Sequence, residues 1–269
     1  MAGLDSPEDS HRSRGARRKA RGRQPDPSPT ATVLRHREVL ESKAVLRKVY
    51  LRWYEAMSRS LSALEPTVEI GAGHGLMASV IPVVMPTDVF ASPFAKLACD
   101  ATSLPFSDRS VGNFAFVDVL HHIQDPLRAF AEMSRCLKPS GRLVASEPFI
   151  SPVSRVAFRF HFERVDFGAE LASHRPEPRV RPDPFAGNMA LSHKALVTET
   201  DVVLKLNPDL RLVSRTFSDW IVYPLSGGFN FPSLVPAWAA APLLAIEDRL
   251  AAVSRVAGFK VMAVFEKRA

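Results

Sequence analysis

A run of three glycines behind an apolar segment, Val68-Glu69-Ile70-Gly71-Ala72-Gly73-His74-Gly75, constrains the fold of this chain more than any other stretch. Thr67, Val68 and Ile70 are apolar or β-favouring and predict the end of a buried strand. The glycines allow the backbone to turn sharply and to approach a ligand that a Cβ atom would exclude. Amide groups beyond such a turn suit a polar or anionic ligand group. The stretch therefore predicts a strand followed by a ligand-binding loop.

Two acidic residues fit a nucleoside lying beside this loop. Glu69 stands two residues before the first glycine, and Asp88 ends a second apolar run, seventeen residues after Gly71. A carboxylate at the end of the second strand can accept hydrogen bonds from both ribose hydroxyls. The dinucleotide fingerprint requires its third glycine one position later, where this chain has Leu76. A dehydrogenase is therefore the least favoured enzyme class.

The glycine run has the form E-x-G-x-G-x-G and resembles the first motif of class I S-adenosylmethionine (SAM) methyltransferases. Three later stretches resemble the same enzymes in the same order: DATSLPF at 100–106, FAFVDVLHHI at 114–123, and a helix, turn and strand at 125–148. Shorter stretches up to residue 266 resemble a small bacterial, methyltransferase type 11-like group whose substrates are undefined. The chain is thus identified as a member of the SAM-dependent methyltransferases.

The resemblance implies a Rossmann-like, doubly wound α/β fold, with a mostly parallel seven-stranded sheet and one antiparallel strand. Helices alternating with buried strands indicate such a sheet independently. Only eleven residues separate Asp88 from Asp100, too few for a crossover helix and a full strand. We therefore expect a sheet trimmed near strands 2–3. Segments 149–197 and 223–258 are rich in proline and aromatic residues, and we expect them to cover the substrate.

Composition divides the chain into a disordered basic tail at 1–35 and a methyltransferase domain at 36–269. The first thirty residues are rich in Arg, Ser and Pro and carry few apolar groups that could offset the entropy of ordering. Leu46, Val49, Tyr50, Trp53, Met57 and Leu61 form a helical apolar stripe within 36–62. No apolar run reaches the ~18 residues of a membrane span. Two cysteines and no visible secretory signal predict a reduced, cytoplasmic protein.

Residue by residue, the resemblance places the cofactor along the carboxyl edge of the sheet. The glycine loop with Glu69 would hold the methionine part of SAM, and Asp88 the ribose. The expected cofactor-binding residues are Glu69, Gly71, Ala72, Gly73, Asp88, Val89, Phe90, Asp100, Ala101 and Asp118. Asp118 could instead support the following helix.

His121 and His122 are the candidate catalytic residues. They follow the fourth strand at the edge where ligands bind in open α/β sheets, and an imidazole can take a proton near neutrality. The alternative is that one of them only braces the turn. The eight histidines are scattered and the two cysteines lie far apart, so the sequence predicts no metal site.

Because the cofactor motifs end by Asp118, the acceptor pocket is expected in the two covering segments. The predicted substrate-binding residues are Phe160, Asn188, Tyr223, Phe229 and Trp238. Pockets for small ligands are mostly apolar with a few placed polar groups. The alternative is that these aromatic side chains fill a core beneath a lid.

The predicted function is methyl transfer from SAM to a small, partly apolar acceptor, on O, N or C, in biosynthetic metabolism, with no nucleic acid as partner. The alternatives are an RNA or protein methyltransferase and a non-catalytic nucleotide-binding module. Amino-methylating nucleic-acid enzymes typically carry N/D-P-P-Y/F/W after the fourth strand, where this chain has Asp118-Val119-Leu120-His121. Intact Glu69 and glycines disfavour the non-catalytic module.

Overall fold

The sheet predicted from alternating strands and helices is present in the computed structural model, which describes residues 28–160, 163–172 and 183–269. The strands are β1 (Thr67–Ile70), β2 (Val84–Asp88), β3 (Leu97–Ala98), β4 (Val111–Val117), β5 (Leu137–Pro148), β6 (Leu210–Ser218) and β7 (Lys260–Lys267). Within the described residues they form a seven-stranded sheet of order β3-β2-β1-β4-β5-β7-β6. Only β7 runs antiparallel to its neighbours, β5 and β6. The predicted fold class is confirmed.

Helices cover both faces of this sheet. They are α1 (Pro29–Ser42), α2 (Ala44–Ser60), α3 (Pro126–Cys136), α4 (Pro152–Ala157), α5 (Met189–His193), α6 (Thr200–Leu206), α7 (Val222–Leu225), α8 (Ala237–Arg249) and α9 (Ser254–Ala257). One apolar cluster joins the sheet to α3, α5 and α6, and a second joins it to α2, α7 and α8. Because both faces are covered, the first six residues of β4 are all buried.

The helix α3 begins where its sequence predicts. Asp125 accepts a hydrogen bond from the Arg128 amide at 3.0 Å, and Pro126 occupies the first helical position. The helix ends at Cys136, and β5 starts directly at Leu137. The K-P-S-G turn is therefore part of the strand segment, with Ser140 in the left-handed region at φ 62°.

The N-terminal part of the domain is longer than predicted. The apolar stripe of α2 is buried from Leu46 to Met57, as expected. A further helix, α1, starts at Pro29 behind a Ser28 cap, so residues 29–35, assigned to the disordered tail from the sequence, are helical. Val33 and Leu40 bury the inner side of this helix. The predicted disorder of residues 1–27 lies outside the described residues.

One edge of the sheet is short, as the spacing predicted. Strand β3 consists of two exposed residues, and no helix separates it from β2. A single 3₁₀ turn, Met77–Ser79, stands where a crossover helix would connect β1 to β2. This trimming leaves the end of β2 open toward the loops that follow it. In the part of the chain that the structure describes, no helix is long and apolar enough to cross a membrane.

Candidate active site

The glycine loop lies at the carboxyl end of β1 and has the conformation that glycine favours. Gly71, Gly73 and Gly75 all have positive φ, at 71°, 48° and 69°. A Cβ atom on Gly71 would lie 2.4 Å from Val119 Cγ2, so the turn after β4 packs directly on the loop. The Cβ direction of Gly73 is open, with no atom nearer than 3.9 Å. Ala72 is buried and its amide donates to Thr87 of β2 at 2.8 Å. The loop is therefore rigid, with space on the Gly73 side.

Two buried carboxylates belong to the strands that adjoin this loop, Glu69 in β1 and Asp88 in β2. Asp88 Oδ2 accepts from the Gly73 amide at 2.9 Å and Oδ1 from the Val89 amide at 2.8 Å. Burial raises the pKa of Asp88, although these amides oppose the shift. Burial, together with the nearby Asp88, also raises the pKa of Glu69 well above its ordinary value, and Glu69 Oε2 has no hydrogen-bond partner among the described residues. A buried acceptor without a donor is costly, and a cationic or hydrogen-bonding ligand would satisfy it.

The predicted adenine-side residues lie beyond the end of β2. Val89 is exposed, and the Phe90 ring lies edge-on to Phe185 with 6.0 Å between centroids. Asp100 accepts from the amide and hydroxyl of Thr102, so its carboxylate stabilises its own turn. Ala101 is buried. The structure thus brings Phe90 under the covering segment through Phe185, whereas Asp100 already has local partners.

Asp118 lies immediately after β4 with a left-handed backbone, φ 56°. Its carboxylate is paired with Lys260, the first residue of β7, whose ammonium lies 4.4 Å from the centre of the Trp53 ring. Burial raises the pKa of Asp118, and Lys260 opposes this shift. The sequence assigned Asp118 to the cofactor. In the structure it also compensates a buried cation.

His121 lies between two glutamates. Its Nδ1 is 2.8 Å from Glu147 Oε2, and its Nε2 is 3.2 Å from Glu163 Oε2. Burial alone would lower the pKa of His121, but the hydrogen bonds to both glutamates outweigh it and raise the pKa to about 10. The residue is therefore protonated near neutrality in this arrangement, and both nitrogens are engaged. A protonated imidazole cannot act as a general base.

The pKa of His122 is shifted in the opposite direction. Its ring lies 4.1 Å from the His121 ring, centroid to centroid, and its pKa is lowered to about 4 by burial and by the charge on His121. It is therefore neutral near pH 7. Its Nδ1 is buried and has no hydrogen-bond partner among the described residues. Of the two predicted catalytic histidines, only His122 offers a lone pair.

The predicted substrate-binding residues whose side chains the structure describes are not all brought together. Asn188 caps α5 and bonds to the backbone of Asp166, while Trp238 is 82% exposed at the start of α8. Phe160 ends a 3₁₀ turn, and its side chain lies outside the described residues. Tyr223 lies edge-on to Trp53, at 5.0 Å between centroids. Phe229 stacks on His36 of α1 at 4.2 Å and lies 6.1 Å from the His74 ring of the glycine loop.

Phe229 therefore links α1 to the glycine loop, and its replacement should weaken cofactor binding. We expect Phe229→Ala to lower SAM affinity about tenfold, equivalent to about 1.4 kcal/mol, because the loop loses the ring that covers it. Trp238→Ala, which removes an exposed ring, should change stability by no more than about 0.5 kcal/mol and leave SAM affinity unchanged. Calorimetric titration of both variants measures the effect. Equal affinities would show that Phe229 does not support the loop.

Three residues of the site were not identified from the sequence: Glu147, Glu163 and Lys260. Glu147 ends β5 at the same sheet edge as Asp118, so the rule that ligands bind beyond strand ends could have found it. Lys260 begins a strand, and it reaches this edge only because β7 is antiparallel. Glu163 belongs to the irregular covering segment and gave no periodic signal.

Comparison with known families identifies the central part of this structure. Residues 68–145 match the family model described as a methyltransferase domain. This range runs from β1 into β5 and includes the glycine loop, Asp88, Asp118 and both histidines. The chain thus carries a methyltransferase domain, which confirms the resemblance seen in the sequence, and SAM is the cofactor expected for such a domain.

Curated relatives match a limited part of the chain. It is 33% identical over 87 residues to a demethylmenaquinone methyltransferase of Renibacterium salmoninarum, covering 31% of this chain and 37% of the relative. The demethylmenaquinone methyltransferase of Paenarthrobacter aurescens is 44% identical over 57 residues, covering 21% and 22%. The matches thus span little more than a third of the relatives.

Solved structures support the architecture. A SAM-dependent methyltransferase from Archaeoglobus fulgidus aligns over 82% of this chain and 94% of its own length, with a TM-score of 0.50 and 12% identity. At this identity the likeness concerns the fold.

Proposed function

We propose that this protein transfers a methyl group from SAM to a small, partly apolar acceptor. The observation that carries the proposal is the glycine loop, whose Gly73 amide bonds to the Asp88 carboxylate, together with a buried Glu69 oxygen that lacks a partner among the described residues. The matched methyltransferase domain supports it. A cytoplasmic location, a biosynthetic role and the absence of a nucleic-acid partner belong to the same proposal.

The residues around the glycine loop fit the parts of SAM. Glu69 would accept a hydrogen bond from the ammonium of the methionine part, directly or through water. Gly71, Ala72 and Gly73 would let the backbone come close to the same part of SAM. Asp88 would exchange one of its present amide donors for ribose hydroxyls. When bound, SAM supplies an electrophilic methyl group on a sulfonium, and the acceptor must be aligned with it.

Phe90, with Val89, Asp100 and Ala101, would border the adenine. Asp118 would lie near the methionine end, as predicted, while keeping its pairing with Lys260.

The histidine pair divides its roles in this proposal. His121 is a positioning residue, because Glu147 and Glu163 hold both of its nitrogens and its ring packs on His122. His122 is neutral and offers the lone pair that faces the covered side of the site. Of the predicted acceptor residues, we propose that Tyr223 and Phe229 border the acceptor; the Phe229 ring lies 6.1 Å from the His74 ring of the glycine loop, which supports this.

Calorimetry on the full-length chain tests the proposal. SAM and S-adenosylhomocysteine should bind with a stoichiometry of one, and NAD should not bind, because Leu76 replaces the glycine that a dinucleotide needs. Tighter binding of NAD than of SAM would contradict the proposal. Transfer of labelled methyl groups from SAM to RNA, with none to small molecules of a cell extract, would favour the alternative of a nucleic-acid methyltransferase.

A further inference from the structure

The turn after β4 and the covering segment place two imidazoles and a carboxylate together. His121, His122 and Glu163 each offer one ligand atom, and these atoms lie within 4.8 Å of one another. The histidines are neighbours in the Leu120–His122 turn, whereas Glu163 is more than forty residues away in sequence. Two histidines and one carboxylate are a common ligand set for divalent transition metals.

The second histidine is the strongest indication of a ligand. His122 Nδ1 is buried and has no hydrogen-bond partner among the described residues. Buried imidazole nitrogens are normally satisfied, and an unsatisfied one calls for an ion or a water. The backbone of the covering segment approaches this nitrogen closely, because a Cβ atom added to Gly187 would lie 2.8 Å from it.

The first histidine is oriented as metal-bound histidines usually are. Glu147 Oε2 lies 2.8 Å from His121 Nδ1, and Glu147 Oε1 accepts from the amides of Val119 and Leu120 at 2.7 and 2.8 Å. A carboxylate fixed in this way keeps a proton on Nδ1, so a metal at Nε2 would displace only the proton that His121 now shares with Glu163. Nε2 and Glu163 Oε2 are 3.2 Å apart, close to the ~3.3 Å expected for two ligands at about 2.0 Å from a tetrahedral Zn²⁺.

We propose that His121 Nε2, His122 Nδ1 and the Glu163 carboxylate bind one first-row divalent metal ion of the Zn²⁺ type. Imidazole ligands favour such ions over Mg²⁺ and Ca²⁺, which prefer oxygen. Three protein ligands leave at least one position open, as in catalytic metal sites. The inference rests on the proposed function in one respect: the open position would take a hydroxyl oxygen of the methyl acceptor.

Metal titration tests this site without requiring methyl transfer. The full-length, untagged chain is treated with a chelator and titrated with Zn²⁺ by calorimetry, and with Co²⁺ while visible absorption is recorded. We expect one Zn²⁺ per chain and the strong visible band of four- or five-coordinate Co²⁺. Absence of a stoichiometric Zn²⁺ site in the unaltered chain would overturn the inference.

Matched variants locate the ion. Glu163→Gln and His122→Gln should each lower Zn²⁺ affinity by at least about tenfold. Even the loss of a residue that only bonds to a metal ligand typically lowers metal affinity about 10–100-fold. Glu170→Gln, an exposed glutamate of the same segment, should bind Zn²⁺ as the unaltered chain does. Equal affinity in the unaltered chain, Glu163→Gln and His122→Gln would place the ion elsewhere and overturn the inference.

Parallel SAM titrations separate the two proposals. SAM binding without Zn²⁺ binding overturns the metal site and leaves the methyltransferase proposal standing. Zn²⁺ binding that depends on Glu163, without any SAM binding, supports the metal site and contradicts the proposed function.

Discussion

Replacing Gly73 by valine should abolish measurable SAM binding, with a loss of at least about 100-fold, or about 2.7 kcal/mol. Gly73 has a φ of 48°, and its Cβ direction opens into free space rather than into protein. A branched side chain would fill that space beside the Asp88 carboxylate, where the cofactor is proposed to lie. Calorimetric titration with SAM and S-adenosylhomocysteine measures the loss.

Backbone strain must be separated from this loss. A β-branched residue in the left-handed region costs roughly 1–2 kcal/mol of stability wherever it is placed. Gly228 provides a matched control, because it has a φ of 51° and no atom within 4 Å of its Cβ position. Gly228→Val should show the same loss of stability with SAM affinity largely kept. If Gly73→Val still binds SAM normally, the cofactor lies elsewhere.

Replacing Lys260 by methionine should destabilise the protein by about 3 kcal/mol, because it leaves the Asp118 carboxylate without the buried cation that pairs with it. Lys260 is 1% exposed, pairs with Asp118 and lies over the Trp53 ring at 4.4 Å. The Asp118 side chain is 25% exposed, so water compensates part of the loss and the lower end of the range for buried pairs applies. Urea unfolding followed by circular dichroism gives the free energy of unfolding.

Two further variants serve as controls for that measurement. Lys48→Met removes an exposed lysine of α2 and should change stability by no more than about 0.5 kcal/mol. Asp118→Asn added to Lys260→Met should recover part of the lost stability, because the unpaired charge is then removed as well. Additive effects of the two substitutions would mean that the pair is not coupled.

The elements predicted from the sequence are those whose signals are local. The glycine loop, the Asp125-Pro126 helix start and the trimmed edge between Asp88 and Asp100 all follow from backbone preferences or from chain length. Asp88 lies beside the glycine loop, since the end of a parallel strand adjoins the loop of its neighbour. The helix beginning at Pro29 was missed because a proline- and serine-rich composition resembles a disordered tail.

The residues that were misjudged depend on contacts distant in sequence. The prediction that Trp238 borders the acceptor rested on its aromatic character alone. Whether a side chain of α8 is exposed depends on which face of that helix meets the sheet, and the Trp238 side chain is exposed. Asn188 was predicted to contact the acceptor, and its amide instead stabilises the turn around Asp166. His121 and His122 could not be distinguished in sequence, yet hydrogen bonds to Glu147 and Glu163 raise the pKa of His121, whereas burial and the charge on His121 lower the pKa of His122.

Local sequence preferences account for the strand β1, the glycine turn and the acid that ends β2, because each is set by a few consecutive residues. Tertiary structure alone decided the chemistry at the carboxyl edge. The scattered histidines and distant cysteines predicted no metal site, whereas the fold brings one possible ligand atom each of His121, His122 and Glu163 within 4.8 Å of one another. Lys260, the first residue of β7, reaches the same edge because β7 runs antiparallel to β5. Ionisation and metal affinity depend on distances between side chains, and only the folded chain sets these distances.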